Sequence, residues 1–165
     1  MTPHPESADT DEIAHARLDD QLCFALYAAS KAVSGAYRTL LKELDLTYPQ
    51  YLAMLAVWEQ DGRTVAELGD SLSLDSGTLS PLLQRLERSG LIRRERSDRD
   101  ERVVRIHATP DGLAMEARAT PVRIAVESST GLDDGAFAAL REQLHTLTAT
   151  VTGAPVGDAR ADRAD

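Results

Sequence analysis

Apolar residues in this chain recur at helical spacing. Over residues 18–44, Leu22, Leu26, Ala29, Val33, Ala36 and Leu40 follow one another at alternating steps of four and three, which predicts one long helix with an apolar seam. A second seam of the same spacing runs beside it through Cys23, Tyr27, Ser30, Ser34, Tyr37 and Leu41. It is smaller and more polar, a surface that another element can approach closely. Thr47-Tyr-Pro-Gln50 has the capping-box pattern with proline in the first turn, and opens a second helix through Trp58 that stops near Gly62. Thr64-Val-Ala-Glu67 repeats the pattern and opens a short third helix to about Ser71. After the tight connection Ser73-Leu74-Asp75, either Asp75 or Ser76 caps a fourth helix. Its buried side is Leu79, Leu82, Leu83 and Leu86, and Gly90 is its stop.

The pattern then changes. Residues 91–96 and 102–107 are short runs with β-branched side chains, and the all-polar Ser97-Asp-Arg-Asp-Glu101 lies between them, which predicts a hairpin with a charged tip. Thr109-Pro110-Asp111 opens a fifth helix that Pro121 is expected to kink or divide. In the last helix Phe137, Leu140, Leu144, Leu147 and Val151 repeat at steps of three and four, a coiled-coil-like stripe. Together with the first helix it predicts a dimer interface; burial within the chain's own core is the alternative. The fold class is therefore mainly α with a small β-hairpin wing: a winged helix-turn-helix at residues 47–108, flanked by dimerisation helices at 17–46 and 109–152. Residues 1–16 and 153–165 are expected to be disordered tails.

Charge and composition narrow the partners. The 165 residues carry 27 acidic against 18 basic side chains, a net −9, which argues against a nonspecific nucleic-acid coat. Residues 85–105 depart from this balance, with eight arginines against five carboxylates. No apolar run approaches the roughly 20 residues of a membrane span, and the acidic N-terminus does not read as a signal peptide. One cysteine excludes an intrachain disulfide and a multi-cysteine zinc site, so the cytoplasm is the expected compartment. His4, His15, His107 and His145 lack ligand spacing, and there is neither a Gly-rich phosphate loop nor a nucleophile elbow. Neither a cofactor nor an enzymatic activity is expected.

The second helix of a helix-turn-helix places its N-terminal side chains in the major groove. Here the side away from the leucines offers Ser76, Thr78, Pro81, Gln84, Arg85 and Arg88, whose hydroxyl, amide and guanidinium groups read base edges or bind phosphates. Pro81 lies more than one turn inside that helix, removes a backbone donor and predicts a bend, unless the helix boundary lies elsewhere. At the hairpin tip Arg99, flanked by Asp98 and Asp100, is placed to reach a minor groove. Arg102 either joins it there or braces the hairpin through Asp98 or Asp100.

The stretch Leu74-Asp-Ser-Gly-Thr-Leu-Ser-Pro81, followed by Leu86-Glu-Arg-Ser-Gly-Leu-Ile92, Asp100-Glu-Arg102 and Thr109-Pro-Asp-Gly112, resembles the MarR family of bacterial winged-helix regulators. With Gln21-Leu-Cys-Phe-Ala-Leu-Tyr27 and Thr47-Tyr-Pro-Gln-Tyr-Leu52, it resembles the organic-hydroperoxide-sensing branch, the OhrR-like repressors. The resemblance spans about residues 18–150. It implies a homodimer that binds an inverted-repeat operator and releases it when its cysteine is oxidised. It also implies that Tyr27, Tyr37 and Tyr48 support the Cys23 thiolate across the dimer.

The residues themselves allow this. If Asp19 or Asp20 starts the helix, Cys23 lies near the first turn, where backbone N–H groups favour a thiolate. Tyr27 is a same-face neighbour, whereas Tyr37 lies roughly 21 Å along the axis and can reach only the Cys23 of an antiparallel partner helix. Oxidation to sulfenic acid is the first expected step. Since no second cysteine is present, a low-molecular-weight thiol, a backbone nitrogen or more oxidant would complete the reaction. Two other functions compete: a MarR-type repressor with a structural Cys23 that answers to a small aromatic ligand, and a thiol peroxidase. The second lacks a resolving cysteine.

Overall fold

The N-terminal helix is shorter than the expected span of residues 18–44 and ends where its two seams end. A 3-10 turn at Leu18–Asp20 precedes it and another at Lys42–Leu44 follows, so the regular helix α1 covers Leu22–Leu41. Gln21 adopts an extended conformation (ψ 116°) that interrupts the hydrogen-bond ladder before Leu22, and Asp45 ends the second turn in the left-handed region at φ 55°. The computed structural model describes residues 17–96, 100 and 102–153, and the chain divides into two compact units, residues 1–126 and 127–165. Among the described residues, no helix is long and apolar enough to cross a membrane.

Both capping boxes form. Thr47 and Gln50 satisfy each other's backbone N–H at the head of α2 (Tyr48–Glu59), and Thr64 and Glu67 do the same for α3 (Val65–Leu72). Ser73 turns the chain in the left-handed region at φ 53°. Asp75, rather than Ser76, then caps α4 (Ser76–Arg88), accepting the Thr78 N–H at 2.8 Å. Leu79, Leu82, Leu83 and Leu86 are all buried. Gly90, at φ 76°, closes the C-terminus as the Leu91 N–H bonds back to the Leu86 carbonyl at 3.0 Å.

The hairpin pairs β1 (Ile92–Arg96) antiparallel with β2 (Val104–Ala108). Leu91, expected in the strand, sits in the bend before it and turns into the core. Residues 62–64 add a third short edge. The Gly62 N–H bonds the Ile106 carbonyl and the Ile106 N–H bonds the Arg63 carbonyl, both at 2.9 Å, beside a Thr64–Arg105 bridge. Asp61 completes this edge, accepting the Ala108 N–H at 2.8 Å and facing His107 Nδ1 at 2.7 Å. Burial opposes the charge on Asp61, but these two contacts outweigh it and hold the carboxyl below its usual range.

Helix α5 (Pro110–Ser129) is one continuous element that contains Pro121, so the chain is not divided there. The residue is a second mid-helix proline beside Pro81; each removes one backbone donor while the flanking turns persist. Met115, Ala119 and Val126 of α5 join the core of the first unit, with Leu41, Tyr51, Met54, Leu68, Leu83 and Ile106 at its centre. In the second unit, Asp133 caps α6 (Asp134–Thr152), and no residue of that helix is buried.

Most of the apolar seam of α1 stays outside the chain's own core, although Ala36 packs against it. Leu22 is 61% exposed, and Val33 and Leu40 are exposed too. On α6, Leu140, Leu144 and Val151 are likewise exposed. The second seam of α1 behaves differently along its length. Cys23, Tyr27 and Ser30 face solvent, while Tyr37 and Leu41 are buried in the first unit. The expectation of an open, closely approachable surface therefore holds only for its N-terminal half. Large side chains at its C-terminal end are covered by the start of α2.

Candidate nucleic-acid interface and redox site

Burying four leucines on one side of α4 leaves its other side to solvent. Ser76, Thr78, Pro81, Gln84, Arg85 and Arg88 are all exposed there. Thr78 is partly occupied, its hydroxyl 3.3 Å from the capping carboxylate of Asp75, and the Arg88 guanidinium folds back to the Gln84 carbonyl at 3.3 Å. The helix thus presents two hydroxyls, an amide and two guanidinium groups, a set able to contact base edges and phosphates.

Asp75 makes this surface acid-sensitive. The Thr78 backbone N–H is the main cause that holds its carboxyl below the usual range. A depressed folded value means that the cap contributes stability above the unfolded carboxylate value and loses it as pH falls through the folded one. Acidification below about pH 4 should therefore fray the head of α4. Asp75→Asn, which keeps an acceptor oxygen without a titrating proton, should flatten that loss in circular dichroism; identical acid profiles for the two proteins would exclude a role for this cap.

The wing is fastened to α4 by a residue that sequence reasoning left unassigned. Arg94 of β1 pairs its Nε with Glu87 Oε2 at 3.2 Å and donates from its terminal nitrogen to the Ser80 carbonyl at 3.4 Å. Both partners lie on α4, so the hairpin angle is tied to the recognition surface. The available signal was the pairing of a central hairpin arginine with a glutamate on the outer side of α4. Arg93 pairs with Glu95 along the same strand, and this contact holds the Glu95 carboxyl below its usual range. Arg102 is exposed, and its backbone N–H bonds Asp100 Oδ1 at 3.0 Å. Its side chain shares a groove of about 400 Å³ with Arg94, Thr64 and Ser80. Arg99 and Asp98 lie outside the described residues.

The cysteine sits elsewhere. Cys23 is the second residue of α1, exposed, in the turn whose N–H groups form the positive end of the helix dipole. Tyr27 is one turn on and exposed, with the Lys31 ammonium 5.4 Å from its ring centre. Tyr37 and Tyr48 are brought together, their rings stacked at 4.7 Å. Burial pushes the Tyr48 phenol up, so it stays protonated and able to donate. The stack continues through Tyr51, 5.4 Å from Tyr37, to the edge of Trp58 at 6.3 Å. Trp58 Nε1 donates to the Gly112 carbonyl at 2.9 Å, so an aromatic column links α1 to the head of α5. Tyr51 and Trp58 were absent from the expected site; their spacing of seven along α2 was its only trace. Tyr27 and Tyr48 border one groove of about 480 Å³.

The chain is similar to several known proteins. The family described as transcriptional regulator SarA/Rot matches residues 36–115. The organic hydroperoxide resistance transcriptional regulator of Bacillus subtilis is 43% identical over 140 residues, covering 83% of this chain and 93% of its own. The HTH-type transcriptional regulator TtmR of Methylorubrum extorquens is 47% identical over 135 residues, covering 78% and 69%. Among solved structures, AbfR of Staphylococcus epidermidis superposes with a TM-score of 0.71 at 33% identity, covering 87% of this chain and 99% of that one. AbfR has also been solved on DNA, both reduced and overoxidised. With a mainly α fold, a two-stranded wing, one cysteine and these likenesses, the chain belongs to the MarR family of winged-helix transcriptional regulators, in its organic-hydroperoxide-resistance (OhrR-like) branch.

Proposed function

We propose that this regulator is a homodimeric repressor that holds an inverted-repeat operator and releases it when an organic hydroperoxide oxidises Cys23. The observation that carries the reading is the exposed Cys23 at the head of α1, on a chain whose Tyr37 is buried, stacked on the half-buried Tyr48 and 14 residues along the helix from its own Cys23. An antiparallel partner α1 would bring the two together. The exposed apolar stripes of α1 and α6 supply surface for such a dimer.

The chemistry balances with the hydroperoxide alone as oxidant. The Cys23 thiolate attacks the terminal peroxide oxygen, the S–O bond forms and the O–O bond breaks. Sulfur loses two electrons and becomes sulfenic acid, and the alkoxide leaving group takes a proton and departs as an alcohol. A low-molecular-weight thiol could then condense with the sulfenic acid, releasing water. Phenol donors from Tyr27, Tyr37 and Tyr48 fit a small sulfur anion; a larger, oxidised group would push them apart and shift the two recognition helices out of register. The protein acts in the cytoplasm as a switch that is spent once per oxidation, without cofactor or enzymatic turnover.

A gel-shift assay on the DNA upstream of its own gene, with and without cumene hydroperoxide and followed by intact mass, tests this. Release with modification of Cys23 is expected; retention of the complex by a protein oxidised at Cys23 refutes it. Binding should weaken steeply with salt, as arginines displace condensed counterions, and half-sites should lie about one helical turn or a multiple apart. Arg102→Ala should lower affinity uniformly across sequences and reduce the salt slope by about 1, and an unchanged slope would take Arg102 off the DNA. A second reading is release by a small aromatic ligand, for which the groove of about 400 Å³ between α3, α4 and the wing offers room. Under that reading, Cys23 is structural.

A further inference from the structure

Arg94 stands where the strand pattern calls for an apolar residue. Alternation along β1 puts it on the same face as Ile92, and across the hairpin it pairs with Ile106; both isoleucines are buried. Its side chain runs along α4, from the Glu87 carboxylate at 3.2 Å to the Ser80 carbonyl at 3.4 Å. Those two partners are seven residues apart, two turns and about 10 Å along one side of the helix. Attachment at two points so separated fixes the direction of the hairpin as well as its distance. Among the described residues, every hydrogen bond and ion pair between α4 and the two strands of the wing is made by Arg94. Further along the hairpin, Arg102 lines the same groove of about 400 Å³ as Arg94 and Ser80.

We propose that Glu87 is a positioning residue for DNA binding: through Arg94 it sets the direction in which the wing leaves α4, and it raises affinity for DNA although it carries a negative charge. The proposal rests on the reading of Arg102 as a DNA contact. A carboxylate on the helix that also carries Arg85 and Arg88 repels phosphates, so charge alone makes Glu87 a liability. Its worth lies in holding Arg94. Without it, Arg94 keeps only the Ser80 carbonyl, and the hairpin turns about its base, where Asp61 holds the Ala108 N–H. Arg102, nearer the tip, is then carried away from the DNA. The planar guanidinium suits the task, since its fork reaches a carboxylate and a carbonyl together, which a lysine ammonium does not.

The test is the affinity of the full chain for the DNA upstream of its own gene, by fluorescence anisotropy over a range of salt. Glu87→Ala removes a negative charge, and Arg94→Lys leaves the charge unchanged. Both should lower affinity about two- to fivefold, the range that a half-exposed ion pair supports. Both should also reduce the salt slope by about 1, because Arg102 no longer meets a phosphate. Arg102→Ala should therefore cost less affinity in the Glu87→Ala protein than in the wild type, whereas a general loss of fold would leave the two costs additive. Unchanged or raised affinity of Glu87→Ala shows that its charge acts alone and overturns the proposal. An Arg102→Ala cost that is the same in both backgrounds overturns the positioning role and leaves Arg102 on the DNA. No cost of Arg102→Ala in the wild type removes Arg102 from the DNA, and the proposal with it.

Discussion

Cys23→Ser protein is expected to bind the operator as tightly as the wild type and to keep it in organic hydroperoxide. The substitution replaces an exposed sulfur with oxygen at the second residue of α1, on a different element from the exposed side of α4, so neither folding nor DNA contact has a reason to change. What disappears is the only nucleophile that a peroxide can convert to a sulfenic acid. In the wild type, oxidation should weaken the operator complex by about 5- to 150-fold, the usual range for coupling between two sites. In the variant the ratio of affinities with and without peroxide should be one. Titration of both proteins by fluorescence anisotropy measures this directly. Release of the serine variant by peroxide would place the sensor elsewhere and leave Cys23 a structural residue.

Gly112→Ala should cost about 2–3 kcal/mol of stability, the upper part of the range for overpacking, seen as a lowered unfolding midpoint in urea or heat. A Cβ at this position would stand 2.0 Å from the Leu91 carbonyl oxygen, a backbone atom that no side-chain rotation can move. To make room, the head of α5 must retreat from the bend before β1. That motion strains the Thr109 N–H bond to Leu91 at 3.1 Å and the Trp58 bond to Gly112 at 2.9 Å. The gain in helix propensity from glycine to alanine, about 1 kcal/mol, is smaller and opposes the loss only in part. Because the aromatic column ends on the Gly112 carbonyl, the substitution should also loosen the Tyr37–Tyr48 stack. A midpoint equal to that of the wild type would mean that this close approach is absent in solution.

Much of the fold was legible because its signals are local. Each capping box needs only residues three apart, each helical seam a repeat within one element, and the stop at Gly90 one backbone conformation. The exposed side of α4 followed from the same logic, since four leucines at helical spacing determine which side is left to solvent. Boundaries were less legible. The helix expected over residues 18–44 takes in residues whose backbone closes 3-10 turns, because periodicity of side chains does not report where the hydrogen-bond ladder is interrupted.

For the candidate redox site the sequence supplied residues but not their arrangement. Spacing alone put Tyr37 out of reach of its own Cys23, and the structure adds that Tyr37 is buried against Tyr48 and Tyr51. The roles of Tyr51, Trp58 and Arg94 depend on which elements pack, and the sequence carried only a periodic hint of the first two.

Helix starts, turns, the buried side of α4 and the identity of the single thiol belong to the chain as written, since short-range sterics and hydrogen bonding decide them. Tertiary packing alone decided the aromatic column, the Arg94 tie between wing and α4, the contact of Gly112 with Leu91 and the groove beside Tyr27. Trp58 and Gly112 stand 54 residues apart, and Arg94 and Ser80 stand 14 apart. Contacts at such separations depend on how whole elements dock, which periodicity within any one element does not encode.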